Sequence, residues 1–323
     1  MFRLSHFVAL PVLFTAVACA ATPSTPVPTN LPTETPTQLP TDEPSEPRTF
    51  QREYLDPQTY LDRIEVGGQE RLFMVHVPTD YESNRPFPLV FSLHGAGSNF
   101  FAQENASQWI QKADEEGFVV VTPQAMEPSN VWLGVFLDEL GDPDIEFFAG
   151  MLDQLQAELS IDPARIYATG LSNGGVMANR LGCELSESFA AIAPVAGAHS
   201  GFHLCDVSEP VSVLAVHGTD DLVIPYQGNG EDVPPVRTWV EAWAERDGCE
   251  AEPAESEPYP DVILEAWNGC AGSTAVSLMT VRGGGHTWLG LEFVWEEGRY
   301  VTTTTATDAI WDFFETYPKR SES

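Results

Sequence analysis

Arg165-Ile166-Tyr167-Ala168-Thr169-Gly170-Leu171-Ser172-Asn173-Gly174-Gly175 is the stretch on which the architecture turns. A short apolar run ends at Thr169, and a helix is predicted to start at Ser172. G-x-S-x-G at a strand-to-helix junction is the pattern of a nucleophile elbow. The turn is so tight that side chains in place of the glycines would collide with neighbouring strands. Its strain lifts the Ser172 hydroxyl clear of the sheet edge, at the N-terminus of a helix whose dipole favours negative charge.

Outward from the elbow, short β-rich runs alternate with helical stretches. Arg71–Val77, Leu89–Leu93, Phe118–Thr122, Ile166–Thr169, Ala190–Pro194, Val211–His217 and Ala275–Val281 read as strands. Gln103–Glu116, Asp144–Leu159, Val236–Asp247 and Thr307–Tyr317 read as helices, the first ending at Gly117. Such alternation predicts an α/β domain with a mainly parallel sheet flanked by helices on both faces. Chemistry in folds of this kind lies at the carboxyl ends of the strands. Trp267, on a further predicted strand, reads as core.

A serine hydroxyl is a weak nucleophile, so a base must take its proton. Elimination among the seven histidines selects His286. His6 lies in a leader, and His76 sits inside an amphipathic strand. His94 and His217 each end a strand and precede glycine, which suits a structural role at a turn. His199 and His203 read as surface loop residues. His286 follows the last predicted strand within Gly283-Gly284-Gly285-His286-Thr287-Trp288, where a glycine run lets a loop carry the imidazole inward. The third member is a carboxylate in His217-Gly218-Thr219-Asp220-Asp221, and periodicity does not separate Asp220 from Asp221. The order Ser, Asp, His is that of α/β-hydrolases, which makes the α/β-hydrolase fold the expectation. Leu93-His94-Gly95-Ala96-Gly97 follows an early strand, where such folds donate backbone amides to an oxyanion. The N–H groups of Ala96 and Asn173 are the candidate donors, one such donor being worth about a hundred- to a thousandfold in rate.

Charge narrows the partners. The 323 residues carry 48 acidic and 15 basic side chains, a formal charge of −33, and only Lys112 and Lys319 are lysines. No basic footprint is available for nucleic acid or for anionic lipid. Hydrophobic residues at 43% exclude a disordered acidic polymer. Residues 1–20 read as an export signal, with Arg3 as the positive region and Phe7 to Cys19 as the apolar run. Ala18-Cys19-Ala20 fits a signal-peptidase site. Ala16-Val17-Ala18-Cys19 resembles a bacterial lipobox, in which Cys19 would be lipidated and tether the chain to a membrane. Both readings place the protein outside the cell, one secreted and one anchored. Residues 21–50 form a Pro/Thr-rich linker, with eight prolines and seven threonines between Thr22 and Pro47. Only Glu34, Asp42, Glu43 and Glu46 of the acidic residues precede residue 48, so the charge belongs to the domain at 51–320.

Setting Cys19 aside, Cys183, Cys205, Cys249 and Cys270 form an even set that suggests two disulfides in an exported chain. Three connectivities are open. Pairing of sequence neighbours would close two loops of about twenty residues, each contributing roughly 3 kcal/mol. With no CxxC pair, zinc is a poor alternative.

Taken together, Leu93-His94-Gly95, Arg165 to Gly175, Phe189-Ala190-Ala191-Ile192-Ala193-Pro194-Val195-Ala196-Gly197, His217-Gly218-Thr219 and Gly284-Gly285-His286-Thr287-Trp288 resemble the polyhydroxybutyrate depolymerase and feruloyl esterase family, over about residues 60 to 318. That resemblance implies a His-Gly-Thr-x-Asp motif and so selects Asp221. It also implies pairing of Cys183 with Cys205 and of Cys249 with Cys270. Leu289 departs from the family's usual proline, and Asp220 from a small neutral residue. An extra charge at Asp220 would either raise the histidine's basicity or face solvent. Trp132 and Trp288 lie where aromatic walls of an acyl pocket are expected.

The implied enzyme is a serine carboxylesterase that needs no metal or organic cofactor. Its ester substrate would be a plant cell-wall phenolic or acetyl ester, or a short polyester. The alternatives are a secreted serine peptidase with the same triad and a non-catalytic ligand-binding lipoprotein. A strongly acidic domain favours neutral esters over anionic substrates. Acidity with scarce lysine fits adaptation to salt as well as plain solubility.

Overall fold

A computed structural model describes residues 51–132, 143–197, 207–230, 233–290 and 304–319. The leader, the linker, Cys19, His199, His203 and Cys205 lie outside the described residues.

The strands run β1 Glu53–Tyr54, β2 Thr59–Val66, β3 Gln69–His76, β4 Phe87–Leu93, β5 Val119–Pro123, β6 Ile161–Leu171, β7 Ala191–Val195, β8 Ser212–Gly218, β9 Ala254–Tyr259, β10 Val262–Trp267 and β11 Val276–Val281. They form one sheet in the order β1-β2-β3-β5-β4-β6-β7-β8-β11-β10-β9. From β5 through β11 neighbouring strands are parallel. Antiparallel pairs close both ends, β3 on β5 and β10 on β11. The edge strand β9 is exposed along almost its whole length and carries Glu255, Glu257 and Pro258. Charge and proline on an edge discourage pairing with another chain.

The helices are α1 Phe100–Ser107, α2 Trp109–Glu116, α3 Pro143–Glu158, α4 Asn173–Glu184, α5 Val236–Arg246 and α6 Ala306–Thr316. They cover both faces of the sheet, and the strands alternate between two cores accordingly. Phe87, Leu89, Phe91 and Leu93 of β4 pack with Phe147 and Met151 of α3, Leu181 of α4 and Trp243 of α5. Val90, from the same strand, joins Trp109 of α2 and Ile310, Trp311 and Phe314 of α6 on the other side. A strand apolar on both faces can be stable only with helices on both, which is why β4 reads as an almost continuous apolar run, interrupted by Ser92.

The parallel sheet and the helical layers match the sequence reading. Trp267 is core, at 1% exposure. The predicted single helix over Gln103–Glu116 is instead two helices, broken at Gln108, whose φ is 56°. Glu104 accepts the Ile110 amide at 2.9 Å and so satisfies a donor in the first turn of α2. The disulfide Cys249–Cys270 joins the end of α5 to the loop after β10. Cys183 is also disulfide-bonded.

Candidate active site

The turn from β6 into α4 is built by close backbone approach. A Cβ on Gly174 would sit 2.3 Å from the Leu93 carbonyl oxygen, and one on Gly170 2.6 Å from the Gly174 carbonyl carbon. Only glycine lets α4 begin this close to β4. Ser172 takes up the strain, with φ 56° and ψ −121°, a conformation costly for a residue with a side chain. Its amide donates to Val195 O at 2.9 Å. Its hydroxyl makes no hydrogen bond to a described residue.

Beside it stands the loop after β4. A Cβ on Gly95 would lie 3.5 Å from the Ser172 Cβ, so this peptide flanks the serine directly. His94 is fully buried, accepts the Ala125 amide on Nε2 at 3.0 Å, and therefore donates from Nδ1 to Gly95 O at 2.8 Å. Burial lowers the pKa of this imidazole against the opposing pull of the Gly95 carbonyl. The backbone N–H groups of Ala96 and Asn173 make no hydrogen bond among the described residues.

The other half of the site is assembled where β8 and β11 end. A Cβ on Gly218 would fall 2.1 Å from Gly284 O, which shows how tightly the two loops pack. The Thr219 amide donates to Val281 O at 2.9 Å, the Asp220 amide to Gly284 O at 2.9 Å, and the Gly283 amide to Thr219 Oγ1 at 2.8 Å. This lacing brings His286 Nδ1 to 2.8 Å from Asp221 Oδ2. Asp221 is 3% exposed, and its Oδ1 accepts the amides of Val223 and Ile224 at 2.9 and 2.8 Å.

A second imidazole reaches the same carboxylate. His217 Nε2 lies 2.9 Å from Ile224 O, which can only accept, so this nitrogen carries a proton, and it sits 3.2 Å from Asp221 Oδ2. Burial alone would raise the Asp221 pKa. The hydrogen bonds from His217, His286 and the Ile224 amide outweigh it and hold the carboxyl far below the usual range. Asp220 is exposed and, among the described residues, its carboxylate accepts only from Thr219 Oγ1, at 3.0 Å.

Two expectations need correction. Trp132 and Trp288 are core residues, 0% and 2% exposed, and present no face to an acyl group. Trp132 Nε1 donates to His94 O at 2.9 Å, and Trp288 Nε1 to Thr307 Oγ1 at 2.9 Å. Conversely, His94 and His217 do more than occupy turns. The signal available for both was the same dipeptide, His-Gly, repeated at the ends of two parallel strands.

Comparison with known proteins bears on this geometry. The prolyl oligopeptidase family model matches residues 104–202. A bifunctional acetylxylan esterase/xylanase of Neocallimastix patriciarum is 28% identical over 234 residues, 71% of this chain and 33% of that protein. Feruloyl esterase B of Piromyces equi is 29% identical over 234 residues, 67% of this chain and 42% of that protein. The chain has an α/β-hydrolase fold and is similar in sequence to feruloyl and acetylxylan esterases. It spans less than half the length of either of these two relatives. In fold it is similar to an acetyl xylan esterase from Aspergillus awamori, with a TM-score of 0.60 at 16% identity, covering 79% of this chain and 98% of that one.

Proposed function

We propose that this α/β-hydrolase is an exported serine carboxylesterase working through an acyl-enzyme, with Ser172, His286 and Asp221 as its triad. The observation that carries the proposal is the contact between buried Asp221 and part-buried His286, 2.8 Å apart, at the same sheet edge as the strained Ser172 turn. In the first half-reaction His286 Nε2 takes the Ser172 proton as Oγ bonds to the ester carbonyl carbon. The carbonyl oxygen becomes an oxyanion held by the amides of Ala96 and Asn173. Collapse of this intermediate breaks the bond to the alcohol oxygen, which leaves with the proton from His286. Water then attacks the acyl-enzyme by the same route, releasing acid and restoring Ser172. Asp221 keeps the Nδ1–H tautomer in place and stabilises the imidazolium without taking its proton. The Ser172–His286 hydrogen bond that this needs would tighten when substrate binds, as catalytic hydrogen bonds commonly do.

The substrate class follows the relatives named for feruloyl and acetylxylan esters: plant cell-wall phenolic or acetyl esters. Short polyesters are the second substrate reading, carried by the sequence motifs. Residues 51–320 act as the catalytic domain, behind a leader at 1–20 and a linker at 21–50. The Cys19 motif supports a lipid tether at the cell membrane. The prolyl oligopeptidase match over 104–202 favours a peptidase as the alternative activity.

Hydrolysis of p-nitrophenyl acetate and butyrate by wild type and Ser172→Ala tests the triad. We expect the substitution to lower kcat by at least about a thousandfold; unchanged activity would overturn the assignment. A panel of methyl ferulate, acetylated xylan, hydroxybutyrate oligomers and a peptide amide then ranks the substrates. Intact-mass analysis of the exported protein tests Cys19, with cleavage elsewhere and no added lipid mass as the contrary result.

A further inference from the structure

We propose that Trp132 is a positioning residue that locks the two amide donors of the oxyanion hole into one unit; the inference rests on the serine esterase reading. The donors come from different segments, Ala96 from the loop after β4 and Asn173 from the first turn of α4. Nothing covalent holds their spacing, yet donors aimed at an oxyanion help only if they need no rearrangement during the reaction.

Trp132 bridges these segments with every polar group it has. Its backbone amide donates to Asn173 Oδ1 at 2.8 Å, and its carbonyl accepts from Asn173 Nδ2 at 3.3 Å. The Asn173 side chain therefore engages the Trp132 backbone as a neighbouring strand would. From the other side of the residue, the indole Nε1–H donates to His94 O at 2.9 Å. The ring packs against the His94 imidazole at 5.2 Å between centroids and against Phe148 at 5.5 Å.

The strap continues from His94 to the donor itself. His94 Nδ1–H holds Gly95 O, which also accepts the Ser98 amide at 3.1 Å. The Gly95 carbonyl and the Ala96 N–H share one planar trans peptide and point in opposite directions. Fixing the oxygen against His94 therefore fixes the direction of the Ala96 N–H. A tryptophan serving only to fill the core would use its ring and could be phenylalanine. Here the indole nitrogen joins the β4 loop while the main chain joins the elbow.

The test compares wild type, Trp132→Phe, Asn173→Ala and the double variant with p-nitrophenyl acetate. A displaced donor should cost less than a deleted one, so each single variant should lose about tenfold in kcat with KM within about twofold. Affinity for a trifluoromethyl ketone, whose serine adduct places an oxyanion in the hole, should fall by the same factor. The double variant should be no worse than the weaker single, because both cut one strap. The pH dependence of kcat/KM should not move, since the Asp221–His286 pair is untouched. Melting curves identify a variant that fails to fold. Asn173→Ala, at a half-buried position, keeps the proposal testable if Trp132→Phe does not fold. Unchanged kcat in a folded single variant, or a loss confined to KM, would overturn the strap. Ser172→Ala assayed alongside keeps the two ideas apart: activity surviving that substitution sinks the esterase mechanism, whereas its loss beside unchanged Trp132→Phe and Asn173→Ala sinks only the strap.

Discussion

Two aspartates are buried at opposite ends of β8 and meet opposite fates. Asp221 follows the carboxyl end of the strand, and Asp247 ends α5 beside Val211, just before the strand begins. They are 3% and 1% exposed, so burial does not distinguish them. Asp221 receives donors from His217, His286, Val223 and Ile224 and is held ionised. Among the described residues, neither carboxylate oxygen of Asp247 has a hydrogen-bond partner of good geometry. Burial pushes its pKa up to about 7, only partly offset by the Val211 amide, Arg246 and Thr274. A carboxylate at a helix C-terminus also faces the negative end of the dipole. What decides the charge of a buried acid is the supply of donors. Here the supply is concentrated at the sheet edge where the strained serine sits.

The strongest way to break this contrast is to remove the charge that Asp221 holds. Asp221→Asn should lower kcat by about ten-thousandfold, because an amide can stabilise the wrong tautomer of His286 and cannot stabilise an imidazolium. Asp220→Asn should stay within about twofold of wild type, since Asp220 is exposed and its carboxylate accepts, among the described residues, only from Thr219. Steady-state kinetics on a p-nitrophenyl ester reads both. A larger loss for Asp220→Asn would reverse the assignment.

A milder change makes Asp221 resemble Asp247. His217→Phe removes one donor while keeping a ring in the space between Asp221 and Tyr226, whose ring lies 6.0 Å from that of His217. Hydrogen bonds to charged groups are worth about 1.5–3 kcal/mol, so kcat should fall by roughly ten- to a hundredfold with KM little changed. Wild-type kcat in folded His217→Phe would show that the second imidazole is mere packing.

How far the sequence carries this contrast depends on the kind of physics involved. The central strands are legible because parallel strands buried on both faces must be largely apolar. The elbow is legible because close backbone approach at Gly170 and Gly174 demands glycine. β2 and β9 escape prediction because they pair antiparallel at the sheet margins, where polar residues interrupt the pattern. The break at Gln108 escapes because the apolar spacing runs on past it, and only the Glu104 contact marks a new helix start. Asp220 and Asp221 are identical in kind and adjacent in sequence, so their difference exists only once Thr219 and Gly284 have laced the two loops. Trp132 illustrates the same limit. A large aromatic reads equally as wall or core until its partners are placed.

The smallest expected effect concerns stability alone, and the two aspartates give it opposite signs. Asp221 has a depressed pKa, so its contribution is present above the unfolded value near 4 and is lost as pH falls through the folded one. Asp247 has a raised pKa. Between about pH 4 and 7 the folded state keeps a proton there that the unfolded chain has released, so stability declines as pH rises across that window. Asparagine resembles the neutral acid and cannot ionise. Asp247→Asn should therefore melt close to wild type at pH 4 and a few degrees higher at pH 8, corresponding to roughly 1 kcal/mol or more. Activity should be unaffected at either pH, because Asp247 lies at the far end of β8 from His286. Thermal melts of the two proteins across pH 4 to 8 read the difference directly. Parallel melting curves would mean that Asp247 is ionised in the folded protein, and that its burial is offset by donors as fully as that of Asp221.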